Sequence, residues 1–151
     1  MIGIIADTHG LLRPEAVAAL RGSTLILHAG DIGPPEIIEE LEHIAPVHAV
    51  RGNCDHGRWA QTLPETETIG VDNTDIYMIH DLGLLDLNPG ESGFALVIYG
   101  HSHHPSIEER DGVLYLNPGS AGAKRFSLPV SVAHLHLDGG VPRAEIIELD
   151  V

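Results

Sequence analysis

Ile4-Ile5-Ala6-Asp7-Thr8-His9 sets a pattern that recurs along the chain: a short apolar run halts on residues able to hold a metal ion. Leu25-Ile26-Leu27 leads to Gly30-Asp31, and Ala49-Val50 leads to Gly52-Asn53. Tyr77-Met78-Ile79 leads to His80, and Leu96-Val97-Ile98-Tyr99 leads to Gly100-His101-Ser102-His103. One such junction is common. Five, with glycine beside three of them, predict a single site assembled at the ends of neighbouring strands.

The rest of the pattern supplies the strands and what lies between them. Residues 2–6 and 24–29 are near-continuous apolar runs, as strands buried on both faces require. Pro14 opens a short helix with Ala16, Val17 and Leu20 on one side. Pro35 opens a second, with Ile37, Ile38, Leu41 and Ile44 at helical spacing and a Glu-rich first turn that suits the helix dipole. Pro46 ends it, and 47–51 form the third strand. Beyond residue 65 the character changes. Thr66–Val71 and Asp75–His80 flank the turn-forming Asp72-Asn73, and 94–99 form a strongly apolar strand. Asp111-Gly112 and Asp138-Gly139-Gly140 mark hairpins that place strands at 106–110, 113–116, 131–137 and 143–149. Mixed sheets with helices outside follow, an α/β or α+β fold. No Pro-, Gly- or Ser-rich linker interrupts the 151 residues, which read as one domain, 1–151.

Bulk properties narrow the function. Against 8 Lys plus Arg stand 22 acidic residues, for a formal net charge of −14. A nucleic acid would be repelled over most of such a surface, so a nucleic-acid partner is discounted. A phosphate-bearing substrate must be drawn by bound cations instead. Cys54 is the only cysteine, which excludes an internal disulfide and a multi-cysteine zinc site and suits a reducing, cytoplasmic setting. No apolar run approaches the roughly 18–20 residues of a membrane span, so no membrane partner is expected.

The junctions offer seven donors: the carboxylates of Asp7 and Asp31, the imidazoles of His9, His80, His101 and His103, and the amide oxygen of Asn53. Seven exceed what one tetrahedral ion uses and suit two ions, with one carboxylate bridging and water completing the shells. Mixed nitrogen and oxygen donors favour divalent transition metals such as manganese, iron, zinc, cobalt or nickel over Mg or Ca. Asp7-x-His9 and His101-x-His103 set their donors two apart, so each pair can face one side. Two ions about 3.5–4 Å apart hold a hydroxide between them and polarise a phosphoryl oxygen.

Taken in order, Asp7-x-His9, Gly30-Asp31, Gly52-Asn53-Cys54-Asp55, His80 and Gly100-His101-Ser102-His103 resemble the motifs of the calcineurin-like metallophosphoesterases. Asn117-Pro118-Gly119-Ser120 fits their small single-domain phosphodiesterase branch, and the resemblance spans roughly residues 1–137. It implies two mixed β-sheets packed as a sandwich with flanking helices, in four layers. It implies that Asp7, His9 and His103 hold one metal, that Asn53, His80 and His101 hold the other, and that Asp31 bridges. A bridging hydroxide would attack phosphorus in line while Asn53 and the metals stabilise the transition state, so Asn53, Asp31 and His80 are the catalytic candidates. The substrate would be a small phosphate ester, most simply a diester. A phosphomonoesterase or phosphoprotein phosphatase is the neighbouring alternative. A non-catalytic scaffold, like a retromer subunit of the same fold, is the alternative from another class.

Two positions depart from the commoner family pattern. Cys54 stands where many members place a leaving-group histidine, as in the small phosphodiesterase branch, so the general acid is unassigned. Asp81 follows His80 where a His-Gly-His stretch is frequent, adding negative charge or orienting His80. Cys54, Asp55, Asp81 and Asn117 are therefore candidates for supporting the metal ligands or touching substrate. Trp59 reads as an anchor for the Asn53 loop, and His28 as a core residue behind the site. Lys124-Arg125 is a rare basic pair in an acidic chain, with substrate steering as an alternative to a plain surface role. The oligomeric state is open, a homo-oligomer included.

Overall fold

The computed structural model describes residues 1–151. The first third alternates β1 (Ile2–Ile5), α1 (Pro14–Leu20), β2 (Leu25–His28), α2 (Glu36–Glu42) and β3 (Val47–Ala49). Then follow β4 (Thr66–Val71), β5 (Thr74–Ile79), β6 (Leu96–Ile98), β7 (Ser106–Arg110), β8 (Val113–Asn117), β9 (Ser131–His136) and β10 (Arg143–Glu148). They form two mixed sheets of five strands, in the orders β10-β9-β1-β2-β3 and β4-β5-β6-β8-β7. The strand ends fall slightly inside the apolar runs, since Ala6, Phe94, Ala95 and Tyr99 lie beyond the ladder. No helix is long and apolar enough to cross a membrane.

The registers bring the junctions together. In the first sheet β1, β2 and β3 are parallel, with Ile5 opposite His28 and His28 opposite Ala49. In the second, β5, β6 and β8 are parallel, with Met78 opposite Ile98 and Ile98 opposite Leu116. Each set of parallel strands therefore ends at one level. The two-residue period then divides the side chains between faces. Ile4 and Leu27 of one sheet meet Ile76, Met78, Leu96, Ile98 and Leu116 of the other, all without solvent exposure, and this is the central core. Ile5 and Ile26 point the other way, onto Leu20 and Leu41 of the two helices.

The sandwich is as expected, but its outer layers are unequal. Both helices cover the first sheet. The outer face of the second, with Tyr77, Ile79, Val97, Val113 and Tyr115, is covered by Leu82, Leu85, Leu87 and Phe94 from the loop between β5 and β6. That loop holds only a single 3-10 turn, Leu82–Leu84. Gly83, Pro89, Gly90 and Gly93 break it too often for a longer helix to propagate.

Gly3 shows how closely α1 seats. A Cβ there would lie 2.7 Å from both Leu20 Cδ2 and Ser23 Oγ. His134 Nε2 of β9 also donates to Ala19 O at 2.6 Å, tying the same helix end to the sheet. Gly3→Val should lift the helix and cost about 1–3 kcal/mol, read as a lower urea midpoint at unchanged slope. A wild-type midpoint would mean that the helix is not held there.

Candidate metal centre

Beyond the strand ends the backbone turns sharply, and the candidate donors make the turns. Asp7, His9, Asp31, His101 and His103 have φ of 55°, 47°, 56°, 73° and 63°, in the left-handed region. Non-glycine residues there cost about 1–2 kcal/mol each. Surrounding bonds hold them. Asp7 N donates to Gly30 O at 3.0 Å, His9 N to Asp31 O at 2.9 Å, and Gly10 N to Ile32 O at 2.9 Å, so the first two loops run side by side. Buried Asp55 clamps the second loop to the third. Its carboxylate accepts from the N–H groups of Asp31, Ile32, Gly33 and Gly52 at 2.8–3.2 Å. Gly52 is required there, because a Cβ would stand 2.1 Å from Asp31 Oδ1.

His28 is fully buried behind the donors. Gly30 N donates to its Nδ1 at 3.1 Å, which leaves Nε2 to carry the ring proton toward Thr8 Oγ1 at 3.0 Å. Thr8 in turn donates to Ile32 O at 2.7 Å. Burial holds the His28 pKa down to about 3, so the ring stays neutral and ties the Asp7-Thr8-His9 turn to the Asp31 loop.

The donors converge in two sets, joined most closely by the Asp31 carboxylate. Asp7 Oδ1 lies 3.7 Å from His9 Nε2, 3.9 Å from His80 Nε2 and 3.5 Å from His103 Nε2. Asn53 Oδ1 lies 3.0 Å from His80 Nε2 and 3.1 Å from His101 Nδ1. Asp31 Oδ2 lies between, 3.6 Å from His9 Nε2 and 3.2 Å from His80 Nε2, while its Oδ1 accepts from Cys54 N at 2.8 Å. Asp7, His9 and His103 can hold an ion, as can Asp31, His80 and His101. The two sets differ in access: Asp7 and His103 are buried, whereas Asn53 and His101 face solvent.

The fit to a cation rests on an orphan. Asp7 Oδ1 is buried and has no hydrogen-bond donor, although Oδ2 accepts from His101 N at 3.0 Å. Burial pushes the Asp7 pKa up to about 7 against the pull of His80, and the Asp31 charge adds to the rise. Burial also raises Asp31, but the hydrogen bonds of His80 and Cys54 N and the nearby imidazoles outweigh it and hold the carboxyl down to about 2. Burial and the Arg125 charge lower His103 to about 4, leaving its ring neutral. His80 donates from Nδ1 to Ala29 O at 2.7 Å, which turns Nε2 toward Asp31 and Asn53. Burial lowers its pKa, yet the Asp31 bond outweighs that and the net shift is upward. A divalent ion would supply the charge that Asp7 lacks and replace the proton on His80.

All seven predicted donors thus meet at one end of the sandwich. Two supporting candidates have structural posts. Asp55 is spent on four backbone N–H groups. Asn117 Nδ2 donates to Gly100 O and Ser102 Oγ at 3.1 Å, and its Oδ1 accepts from Gly119 N, so it buttresses the His101–His103 turn. Cys54 is exposed at the rim, its thiol pKa pushed up by desolvation and the Asp31 charge. Asp81 Oδ2 lies 3.9 Å from His101 Nε2 while Oδ1 accepts from Gly83 N. Trp59 packs partly buried against the helix-side core, as an anchor should. Sequence reading passed over Thr8 and Ser120, whose hydroxyls bond Ile32 O and Asp7 O and fix the Asp7 turn. Their positions inside motifs, between donors or in the Asn-Pro-Gly-Ser stretch, were the available signal.

Known proteins share this chain's sequence pattern and fold. The family model described as calcineurin-like phosphoesterase superfamily domain matches residues 1–140. A probable metallophosphoesterase of Methanothermobacter thermautotrophicus is 41% identical over 97% of this chain and 91% of its own. The phosphodiesterase YfcE of Escherichia coli is 29% identical over 88% of this chain and 85% of its own. Among solved structures, wild-type Vps29 from Entamoeba histolytica, complexed with zinc, superposes with a TM-score of 0.76 at 22% identity and 99% coverage of both chains. That likeness concerns the fold.

Asp7 makes a stability prediction with a definite sign. Its pKa is about 7 in the metal-free fold against an ordinary 3.8, so the fold keeps a proton that the unfolded chain releases. The resulting stabilisation is complete below pH 3.8 and is lost as pH rises through about 7. Asp7→Asn stays neutral throughout. In chelator, its melting temperature should gain on wild type as pH rises from about 4 to 8, by several degrees, while it binds metal more weakly. A variant that loses ground as pH rises would refute the burial argument.

Proposed function

The chain belongs to the calcineurin-like phosphoesterase superfamily, and from that premise we propose that it is a cytoplasmic phosphodiesterase working with two divalent transition-metal ions, manganese first among them. One observation carries the reading: a single carboxylate oxygen, Asp31 Oδ2, reaches both donor sets, at 3.6 Å from His9 and 3.2 Å from His80. Asp7, His9 and His103 would hold one ion, Asn53, His80 and His101 the other, and Asp31 both. When bound, the ions supply Lewis acidity toward a phosphoryl oxygen and a water of lowered pKa.

The chain's own residues do the rest. His28, Asp55 and Asn117 fix the turns in advance, so the donors need little reorganisation when an ester arrives. Asn53 stands on the open side. Its Oδ1 is engaged by His80 and His101 and one Nδ2 N–H reaches Cys54 Sγ at 3.5 Å, which leaves the second N–H to donate to a phosphoryl oxygen. The Cys54 thiol keeps its proton at neutral pH, but a thiol is a weak acid. Expulsion of an alkoxide therefore lacks strong help, and esters with good leaving groups are favoured.

Charge at the entrance favours a diester. A cleft of about 830 Å³ opens beside Asn53 and His80, with Glu65, Asp81 and Asp86 on its walls. Its one cation, Arg51, is tied to Glu65 at 2.7 Å. A diester brings one negative charge there, whereas a monoester brings roughly 1.5–2 at pH 7. The monoesterase alternative meets that repulsion. A scaffold role, suggested by the Vps29 fold, leaves a complete donor set without a use.

Asp31→Asn should remove the shared charge, lower metal content by elemental analysis and cut turnover roughly 10²-fold or more. Full activity in that variant would sink the assignment. With manganese loaded, bis(4-nitrophenyl) phosphate should be cleaved with higher kcat/KM than 4-nitrophenyl phosphate. The reverse order would favour the monoesterase.

A further inference from the structure

The basic pair Lys124-Arg125 and the residue after it have no part in the donor turns, yet the loop that carries them springs from the Asp7 turn. Ser131 N donates to Ser120 O at 3.0 Å and Ser131 Oγ to Pro118 O at 2.7 Å, which pinches the base of a loop over residues 121–129. Its near arm is clamped to the strand end that carries Asp7 and His9. Ala121 N donates to Ala6 O at 3.1 Å, Ser120 Oγ to Asp7 O at 3.1 Å, and Arg13 Nε to Gly122 O at 3.1 Å. Gly122 lies so close that a Cβ would stand 2.3 Å from Thr8 O. The tip is a turn closed by Leu128 N and Arg125 O at 3.0 Å.

Phe126 occupies the first corner of that turn with φ 52° and 96% of its surface exposed. The other left-handed non-glycine residues are the five donors and the hairpin residues Asp72, Asn73 and Asp111, all of kinds that tolerate the conformation better. Phe126 has neither a core to fill nor a turn preference to satisfy. The other phenylalanine, Phe94, packs edge-on against Tyr77 at 5.2 Å. Lys124 and Arg125 form no ion pair in a chain with 22 acidic residues. The Arg125 charge nonetheless bears on three strand ends: after burial it adds to the fall at His103, and it opposes the net rises at Asp7 and Cys54. A backbone outlier paired with a free cation beside a site points from strain to use.

We propose that Arg125 and Phe126 form a substrate-gripping tip, in which the guanidinium binds a non-bridging oxygen of the phosphoryl group and the ring stacks on an aromatic arm of the ester. The preferred substrates are then phosphodiesters with one aryl or nucleoside arm. The acidic cleft beside Asn53, which no residue of this loop lines, takes the uncharged second arm. Guanidinium groups match phosphoryl oxygens in a fixed fork, and stacking on an exposed ring is tolerant of ring identity.

The proposal rests on the phosphodiesterase reading, and its test separates the two by using binding as well as turnover. Phenylphosphonate and methylphosphonate share an anionic head and differ only in the ring. With manganese loaded, calorimetry should give phenylphosphonate about tenfold tighter binding than methylphosphonate. Phe126→Ala should erase that preference. Arg125→Ala should weaken both about tenfold, with Arg125→Lys recovering part, and metal content should match wild type in every variant. Phe126→Gly should raise the melting temperature, since glycine relieves the left-handed strain, while it loses the ring preference. A preference unchanged in Phe126→Ala, or an Arg125→Ala variant that binds both as wild type does, would overturn the proposal. In kinetics, thymidine 5′-(4-nitrophenyl phosphate) should be preferred to methyl 4-nitrophenyl phosphate, which has the same leaving group. Hydrolysis of neither, with the ring preference intact in binding, would sink the enzyme reading and leave the tip as assigned.

Discussion

Asp7 carries a carboxylate with no solvent exposure, and one of its oxygens meets no donor at all. An uncompensated buried charge costs several kcal/mol, and the metal-free fold answers by raising the pKa to about 7. The rest of the sheet end is organised around that deficit. Three imidazole Nε2 atoms approach the orphan oxygen to 3.5–3.9 Å, a spacing too long for hydrogen bonds and suited to groups that share an ion. The neutral, buried His28 fixes the turn that carries Asp7, and Asp55 holds the neighbouring loop with all of its acceptor capacity on one side. Local backbone strain at five donors is thus sustained by a hydrogen-bonded surround, as is usual where geometry is kept for use.

The strand-to-donor junctions were legible because burial on both faces forces a continuous apolar run, and a run that ends in Asp, Asn or His must be leaving the core. Hairpin signals at Asp72-Asn73 and Asp111-Gly112 were equally legible, since those residues tolerate the positive φ they adopt. Other features depend on what meets in space. Asp55 and Asn117 sit in motifs beside donors and read as site residues, yet both face backbone groups of neighbouring loops. The flanking helices lie on the first sheet, and an apolar loop broken by glycines and proline covers Tyr77 and Val97 of the second. The left-handed backbone at Asp7, His9 and His103 leaves no sequence mark, since tertiary contacts impose it.

The site is asymmetric in access and in charge. Its Asp7 side is closed by the core, and its Asn53 side opens to a cleft walled by carboxylates. A protein with net charge −14 would repel an anionic ester everywhere except where cations concentrate. Two bound ions and the unpaired Arg125 would supply that concentration at one point. The same asymmetry separates the two arms of a diester, one toward the acidic cleft and one toward the Arg125–Phe126 tip.

The central claim is that one carboxylate, Asp31, joins two ions. Electron paramagnetic resonance of the manganese-loaded protein tests it most directly, read together with an ion count. The account predicts about two ions per chain with a spin-coupled signal, because ions sharing a bridge lie about 3.5–4 Å apart. The spectrum of isolated manganese, at one ion per chain or at two, would contradict it.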